Sequence, residues 1–275
     1  MDGLAGRTAV ITGAASGLGR AMAERMAGEG MQLVLADIEA DPLTELGALL
    51  ADGGASVITE RVDVSRADDI ERLADAAYER FGAVHVLCNN AGVVKRARAW
   101  DLTVDDWEWV LGVDLWSVIH AVRVFVPRMR DGGEGGHIVN TASMSGLLPI
   151  PNLAAYSVAK AAVVALSEAL QLDFDAVGTP IGVSVLCPVF IATRITESER
   201  NRPAELTNAA AIPAVARTTA GVTSTMDAAE VAVAVVDAIR TDRFWILTHD
   251  DYRAVIQARA AGIGTDGRPE PPPIW

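Results

Sequence analysis

Short apolar runs alternate along the chain with longer stretches in which apolar residues recur every three or four positions. A short run between turn residues predicts a buried strand, whereas the wider spacing predicts a helix with one apolar face. Strands are predicted at residues 7–12, 31–36, 56–62, 84–88, 136–140 and 243–248 and in the run ending at Cys187, and the helices include residues 41–51, 67–81, 105–129 and 227–241. This repeated order predicts one α/β domain with a doubly wound parallel sheet and helices on both faces.

The loop after the first predicted strand is rich in glycine. Residues 12–19 read Thr-Gly-Ala-Ala-Ser-Gly-Leu-Gly, and a helical pattern follows them. Glycines at such a junction allow a tight turn and let the backbone approach a pyrophosphate, whose charge then lies at the helix N-terminus. The predicted cofactor contacts in this loop are Gly13, Ser16, Gly17, Leu18 and Gly19. Taken alone, such a loop fits a purely structural turn equally well.

The second predicted strand leads into Asp37, about twenty residues beyond the glycine loop. A carboxylate there accepts hydrogen bonds from the adenosine ribose 2′-hydroxyl and repels a 2′-phosphate. Ile38 follows it, and the loop carries no basic residue before Arg20, so the pattern favours NAD over NADP. The alternative is that Asp37 caps the helix that begins near Pro42.

Polar segments also follow the third and fourth predicted strands. Asp63 and Val64 come after the third, and Asn90, Ala91 and Gly92 come after the fourth. Ligands of doubly wound sheets bind outside the carboxyl ends of the strands, so both segments are predicted to lie against a cofactor. Plain turn chemistry is the alternative for the second segment.

Candidate catalytic residues lie between residues 140 and 160. Tyr156 and Lys160 are four apart in an alanine-rich helical run, which places their side chains on one helix face. A nearby ammonium group favours a phenolate, so Lys160 is expected to lower the pKa of Tyr156 and suit it to proton exchange with an alcohol or ketone. Ser143, after the strand at residues 136–140, could donate a hydrogen bond to the same substrate oxygen. The Tyr–Lys pair alone also fits a solvated helix face.

The bulk composition argues against several classes of function. The chain has 275 residues, of which 51% are hydrophobic, and its formal net charge is −13. An acidic chain argues against a nucleic-acid or anionic-membrane partner, because either would require a basic patch. No uninterrupted apolar stretch is of membrane-spanning length, and residues 1–7 do not resemble a secretory signal.

The cysteines and histidines add to this picture. Cys88 and Cys187 lie in apolar runs, where free buried thiols are expected, and the chain is predicted to be cytoplasmic. The four histidines are scattered without ligand spacing, so no metal site is predicted.

Taken together and in order, these motifs resemble those of the short-chain dehydrogenase/reductase family. The resemblance rests on the loop at residues 12–19, Asp63-Val64, residues 89–92, Ser143 and Tyr156-x-x-x-Lys160, and it covers about residues 5–193. It implies a single Rossmann-type domain at residues 1–261 that binds NAD. It also implies that Tyr156 is the general acid/base, that Lys160 lowers its pKa and holds the nicotinamide ribose, and that Ser143 orients the substrate carbonyl.

The resemblance implies further cofactor contacts, and Tyr156 is expected to contact the cofactor as Lys160 does. Asp63 and Val64 would hold the adenine, and Asn90 would support the sheet beside the ribose. In the segment Cys187-Pro-Val-Phe-Ile-Ala-Thr193, Pro188, Ile191 and Thr193 would face the nicotinamide amide and the phosphates.

The chain departs from the family's pattern at two positions. Asp114 stands where similar proteins usually carry an asparagine that holds a water in a proton relay to the lysine. The charge of Asp114 would favour protonated Lys160 and a less acidic Tyr156, giving a working but altered relay, or the substitution could be a tolerated near-isostere. Val189 stands where glycine is usual, so the turn there is expected to differ.

Three regions bear on partners and substrate access. The helix at residues 105–129 is apolar around more than one face, which fits packing on a partner subunit. The family resemblance implies that this helix and the one bearing Tyr156 form a subunit interface, so a homodimer or homotetramer is expected. Residues 190–226 lose periodicity and predict a substrate lid, with a loosely ordered surface loop as the alternative. Residues 262–275 predict an extended proline-rich tail, either solvated or covering a neighbour's site.

The function predicted from these features is hydride transfer between NAD and a secondary alcohol or ketone. Val94, Ser145, Leu147 and Phe190 are expected to line a pocket for a mostly apolar small molecule. The alternatives are a non-catalytic NAD-binding scaffold or sensor of the same fold, and a dehydration or epimerisation that uses bound NAD without net release of NADH.

Overall fold

The computed structural model describes residues 1, 3–191, 193–207 and 226–269. Seven parallel strands form one sheet in the order β3-β2-β1-β4-β5-β6-β7. The strands are β1 (Thr8–Thr12), β2 (Gln32–Asp37), β3 (Val57–Arg61), β4 (Val86–Asn89), β5 (Gly136–Thr141), β6 (Ile181–Cys187) and β7 (Trp245–Leu247). The order reverses between β1 and β4, and this switch point opens a crevice at the carboxyl ends of the strands. The predicted doubly wound sheet is confirmed.

Helices connect the strands and cover both faces of the sheet. They are α1 (Gly17–Gly28), α2 (Ala40–Asp52), α3 (Ala67–Phe81), α4 (Val104–Leu111), α5 (Ser117–Gly132), α6 (Met144–Leu147), α7 (Ala154–Val177), α8 (Ala228–Thr241) and α9 (Tyr252–Gly264). Short 3-10 helices lie at Arg194–Asn201 and Ala204–Leu206.

Alternating strand residues build a separate core on each face of the sheet. Ile11 of β1 packs on one side with Met22 of α1, in the core that α2 and α8 also enter. Val10 packs on the other side with Ile70 of α3 and Phe125 of α5. Successive side chains of a strand point to opposite faces, so a strand covered on both sides reads as a continuous apolar run.

The helix on the second face is continuous from Val104 to Gly132, with a π-helical turn at Gly112–Trp116 between α4 and α5. Its 29 residues and mean hydropathy of 1.5 over an 18-residue window meet the length and composition of a membrane-crossing helix. Charged residues such as Asp114 and Arg123 interrupt this helix, so the expectation that no uninterrupted apolar stretch reaches membrane-spanning length is not contradicted. In the structure this helix packs against α3, α7 and the sheet, and the core helices of other folds meet the same two criteria.

The structure bears on three further predictions, which concern the cysteines, the domain boundary and the lid and tail segments. Both cysteines are free and buried, as predicted. Helix α9 reaches Gly264, so it crosses the predicted boundary between residues 261 and 262. Residues 208–225 of the predicted lid and residues 270–275 of the predicted tail lie outside the described residues.

Candidate active site

One cleft runs along the carboxyl ends of the central strands and collects nearly all of the predicted cofactor residues. Its walls include Gly13, Ser16, Gly17, Leu18, Asp37, Ile38, Asp63, Val64, Asn90, Ala91, Gly92, Pro188, Ile191 and Thr193, together with Ser143, Tyr156 and Lys160. Gly19 is the predicted cofactor residue that does not line it. A Cβ atom on Gly19 would lie 2.0 Å from the carbonyl oxygen of Gly13, so this glycine allows α1 to pack closely on the loop.

The glycine loop presents open backbone to the cleft. Gly13 and Gly17 have φ values of +65° and +54°, a backbone conformation that residues with a Cβ atom rarely adopt. A Cβ atom on Gly13 would also lie 2.8 Å from the Cα atom of Ala91. Ser16 precedes α1 without a side-chain capping bond, and the first turn of α1 carries no acidic residue. The first N–H groups of α1 are therefore available to an anion at the positive end of the helix dipole.

The ends of β1 and β4 are held together at the switch point. The Thr12 hydroxyl accepts hydrogen bonds from the backbone N–H groups of Asn90 at 3.0 Å and Ala91 at 3.2 Å. The Asn90 side chain donates in turn to the Thr12 carbonyl at 3.0 Å. Thr12 is thus a structural part of the site that the sequence pattern had not identified, although it opens the glycine motif.

Asp37 closes the opposite end of the cleft. Its Oδ2 atom accepts from the backbone N–H of Ala15 at 2.9 Å, and Oδ1 accepts from the backbone N–H of Glu39 at 3.0 Å. Burial raises the pKa of this carboxyl, and the two backbone hydrogen bonds act in the opposite direction. Asp37 therefore orients the loop through Ala15 as well as facing the cleft.

Ser143, Tyr156 and Lys160 come together on the floor of the cleft. Ser143 follows β5 and precedes α6, where its hydroxyl accepts from the backbone N–H of Ser145 at 3.1 Å. The Ser143 side chain also lies within hydrogen-bonding reach of the Tyr156 phenol. Lys160 lies one turn further along α7, with its Nζ atom 5.6 Å from the centre of the Tyr156 ring. The same Nζ atom donates to the Thr141 carbonyl at 3.0 Å.

The ionisation of Tyr156 differs from the expectation drawn from the sequence. Burial raises the pKa of the phenol well above its usual range, and the negative charge of Asp114 raises it further. The hydrogen bond with Ser143 acts in the opposite direction but does not cancel these effects. The expected lowering was therefore wrong for this structure, because desolvation outweighs nearby favourable groups.

Asp114 lies in the π-helical turn and is completely buried. Its Oδ1 atom accepts from the backbone N–H of Val93 at 2.8 Å and lies 3.8 Å from Nζ of Lys160. Its Oδ2 atom has no hydrogen-bond partner among the described residues. Burial raises the pKa of Asp114 to about 6, while Lys160 acts to lower it.

The four residues predicted to line the substrate pocket can be compared with the lining of the described cleft. Val94, Ser145, Leu147 and Phe190 are not among the residues that line the cleft in the described part of the chain. The Ser145 hydroxyl bonds that of Ser157 at 2.7 Å, and Leu147 packs in a small cluster around Tyr252. The apolar residues that line the cleft include Val93, Trp109, Val113, Val189 and Leu206, and all of these except Val189 pack in one cluster with Tyr156.

Trp109 belongs to the helix that was predicted to pack on a partner subunit. It is only 2% exposed and packs with Val93 and Ala155 of its own chain. The apolar side chain of Trp109 is therefore buried within its own chain. The neighbour Val93 could have been identified from the sequence, because it directly follows the Asn-Ala-Gly segment.

The segment after β6 is tied across the mouth of the cleft. Arg202 donates to Asp106 at 2.6 Å and lies 5.0 Å from the centre of the Trp109 ring. The Ser198 hydroxyl accepts from the backbone N–H of Val94 at 3.0 Å, and Glu199 pairs with Lys95. The described part of the predicted lid is therefore an ordered wall of the site.

Comparison with known proteins gives consistent matches. The family model described as short chain dehydrogenase matches residues 7–204. A 1-deoxy-11-beta-hydroxypentalenate dehydrogenase of Streptomyces avermitilis is 38% identical over 246 residues, which cover 89% of this chain and 85% of that protein. A CLA biosynthesis dehydrogenase/reductase of Lactiplantibacillus plantarum is 32% identical, and the alignment covers 94% of this chain and 94% of that protein.

A solved structure extends this similarity to nearly the whole chain. A short-chain dehydrogenase/reductase of Burkholderia phymatum in complex with NAD has a TM-score of 0.93 and 42% identity. The alignment covers 99% of both chains.

Proposed function

We propose, from the premise that this chain belongs to the short-chain dehydrogenase family, that it transfers a hydride between NAD and a secondary alcohol or ketone. The observation that supports this most directly is the meeting of Ser143, Tyr156 and Lys160 in the cleft that also contains the glycine loop and Asp37. These groups come from distant parts of the sequence, and a structural role alone would not require them to share one cleft.

The walls of the cleft fit a dinucleotide. The open N-terminus of α1 suits a pyrophosphate, since its first N–H groups have no side-chain acceptor and Gly13 and Gly17 leave room for close approach. The buried carboxylate of Asp37 favours an unmodified ribose over one with a 2′-phosphate. The similar Burkholderia phymatum protein is described in complex with NAD, which supports the same cofactor here.

The proposed chemistry divides between cofactor and protein. When bound, the nicotinamide ring accepts or supplies the hydride. Tyr156 exchanges the proton with the substrate oxygen, and Ser143 donates a hydrogen bond that orients this oxygen. The high pKa of Tyr156 keeps its proton in place, which is the state needed to protonate a ketone. Lys160 is held by the Thr141 carbonyl, so its ammonium group stays beneath the cleft near the phenol.

The substrate wall supports a mostly apolar substrate. Val93, Trp109, Val113 and Val189 line the cleft, and the first three pack in one cluster with Tyr156. Burial of apolar surface provides affinity here, whereas Ser143 and Tyr156 fix the position of one oxygen. The hydroxypentalenate dehydrogenase among the relatives supports testing hydroxylated apolar compounds first.

We further propose that the protein is a homo-oligomer in the cytoplasm. Large apolar side chains remain exposed near the packed α5 and α7 helices, with Trp116 and Val158 each 50% exposed and Leu172 68% exposed. A partner subunit that covered them would remove this apolar surface from water. The two free thiols are consistent with a reducing compartment.

The central experiment measures NADH formation from a panel of apolar secondary alcohols, with NAD and NADP compared. The native chain is tested beside Tyr156→Phe, which removes the proposed acid/base. Tyr78→Phe is the matched control, because the Tyr78 hydroxyl has no hydrogen-bond partner within the described structure and does not line the cleft. We expect turnover with NAD, a loss of about 10²–10⁴-fold in Tyr156→Phe, and native rates in Tyr78→Phe.

Binding measurements separate the alternatives. Isothermal titration with NAD should give the same Kd for the native chain and Tyr156→Phe. Tight NAD binding without turnover of any alcohol would instead favour a binding scaffold. Conversion of substrate without net NADH release would favour a dehydration or epimerisation.

A further inference from the structure

A second acidic residue lies at the adenosine end of the cleft, two positions after Asp37. The Glu39 carboxylate accepts two hydrogen bonds from one guanidinium group, from Arg200 Nε at 3.1 Å and from Arg200 Nη2 at 2.7 Å. The hydrogen bond and charge of Arg200 lower the pKa of Glu39, so this carboxylate is ionised at neutral pH. A fully formed ion pair therefore stands beside the predicted ribose-binding residue.

Arg200 reaches this position from the 3-10 helix at Arg194–Asn201, which is 161 residues away in sequence from Glu39. Its third nitrogen, Nη1, donates to the Arg194 carbonyl at 3.2 Å. All three guanidinium nitrogens are thus engaged. Arg200 and Glu39 both line the cleft, as Asp37 and Ile38 do.

A guanidinium group in this place is chemically suited to a phosphate. Arginine binds phosphate through two parallel N–H donors, and an arginine near the adenosine ribose is the usual means of accepting the 2′-phosphate of NADP. Here the two donors that could do so already bind Glu39. A 2′-phosphate would have to displace a carboxylate that stays nearby and repels it.

Asp37 does not provide this repulsion alone. Each of its oxygens accepts one backbone N–H, from Ala15 or from Glu39, and burial raises its pKa. Glu39 adds a second carboxylate, and this one keeps its charge because of Arg200.

We propose that Glu39 selects NAD over NADP by holding Arg200 in this ion pair, so that cofactor choice depends on Glu39 as well as on Asp37. The inference rests on the proposed assignment of the cleft to a nicotinamide cofactor. Without Glu39, Arg200 becomes a site for the 2′-phosphate.

The test measures the Kd values of NAD and NADP by isothermal titration at one pH and one ionic strength. The variants are Glu39→Gln, Arg200→Gln and the double variant Glu39→Gln/Arg200→Gln. The matched control is Glu199→Gln, which breaks the ion pair of the same 3-10 helix with Lys95 away from the adenosine end. Circular dichroism and thermal melting verify that each variant is folded.

We expect the NADP Kd of Glu39→Gln to fall about ten-fold while its NAD Kd stays within about three-fold of native, since one phosphate–guanidinium contact is gained. The gain should disappear in the double variant, and Glu199→Gln should keep the native ratio of the two Kd values. Unchanged NADP affinity in Glu39→Gln would overturn the proposal. So would an equal gain in Glu199→Gln, which would indicate loosening of the lid, or a gain that persists without Arg200.

The readout separates this inference from the proposed function. A native chain that binds NAD but oxidises no alcohol contradicts the proposed function and leaves the role of Glu39 standing. A native chain that turns over alcohols with NAD, while Glu39→Gln binds NADP no better, contradicts the role of Glu39 alone.

Discussion

The carboxylate of Asp114 lies 3.8 Å from the ammonium nitrogen of Lys160, and both side chains are buried beneath the cleft. The contact links the π-helical turn to α7, so a charge on the turn acts on the two residues of the Tyr-x-x-x-Lys motif. Asp114 contributes to the raised pKa of Tyr156, and its own pKa of about 6 lies close to neutrality. The pKa of Tyr156 is therefore expected to differ between the charged and the neutral state of Asp114, and pH sets which of these states is present.

Asp114→Asn should move the alkaline pH dependence of alcohol oxidation to lower pH. Above about pH 6 Asp114 is charged and favours the protonated phenol, so its removal lowers the pKa of Tyr156. We expect a shift of about one pH unit in the profile of kcat/KM. Below about pH 6 Asp114 is neutral in the native chain, so the two profiles should converge there.

The matched control for this shift is Asp131→Asn, the same exchange at the exposed end of the same continuous helix. It should leave the profile at its native position. An Asp114→Asn profile that coincides with the native one would show that the carboxylate is a tolerated near-isostere.

Gly19→Ala should destabilise the loop and abolish dinucleotide binding. Its Cβ atom would lie 2.0 Å from the Gly13 carbonyl oxygen, so α1 or the loop must shift. Overpacking of this kind costs about 1–3 kcal/mol in the free energy of unfolding. Urea unfolding and NAD titration measure both effects.

Gly28→Ala is the comparison on the same helix, since a Cβ atom there would meet nothing within 4 Å. It should leave NAD binding unchanged and raise stability by up to about 1 kcal/mol through helix propensity. Equal losses in both variants would argue against the steric explanation.

Asp106→Ala should strongly destabilise the wall formed by α4 and the segment after β6. Asp106 is fully buried, and its partner Arg202 has a side chain that is 4% exposed, so the substitution leaves a buried cation with only the half-exposed carboxylate of Glu199, 3.6 Å away. Breaking such a pair typically costs about 3–5 kcal/mol. Arg202→Met should cost less, because it removes the buried charge and keeps the packing on Trp109.

Asp106 also belongs to a capping box with Thr103, so the loss of a cap must be separated from the loss of the ion pair. Glu230→Ala removes the corresponding residue from the capping box of α8, which is at the surface. We expect it to cost only about 0.5–1.5 kcal/mol. Similar costs for Asp106→Ala and Glu230→Ala in urea unfolding would refute a special role for the ion pair.

The two cysteines should resist alkylation in the native chain. Cys88 and Cys187 are completely buried, and desolvation raises the pKa of each thiol to about 12. The reactive thiolate is therefore scarce at pH 8 and shielded from reagent. Mass spectrometry after iodoacetamide treatment should find no alkylation without urea and two modified thiols in urea. Rapid labelling of the folded chain would contradict the burial of these residues.

Much of the fold follows from local patterns that the sequence carries directly. Residues 67–81 were predicted as a helix and form α3 with the same bounds. The strand predictions agree with the structure to within about two residues, since a strand buried on both faces must be apolar throughout. The glycine loop, Asp37 and the Tyr-x-x-x-Lys motif were also visible, because backbone turns and one helix face fix their spacing.

The substrate wall was less accessible to such reasoning. Val94, Ser145, Leu147 and Phe190 were predicted to line the pocket, yet Val93, Trp109 and Val189 line the cleft. Neighbouring residues of an extended segment point to opposite sides, so an error of one position selects a side chain that points away from the cleft. Trp109 was recognised as part of an apolar helix, but the apolar pattern alone could not decide whether this side chain packs on a partner subunit or lines the chain's own cleft.

The sequence by itself determined the order of strands and helices, the phosphate-binding loop and the residue types available for proton transfer, because each depends on neighbours within a few positions. Only the tertiary structure decided that burial dominates the raised pKa of Tyr156, and that Arg200 binds Glu39. A pKa depends on desolvation and on charges from every surrounding element, and the two members of a distant ion pair share no local pattern. These properties exist only when the chain has folded.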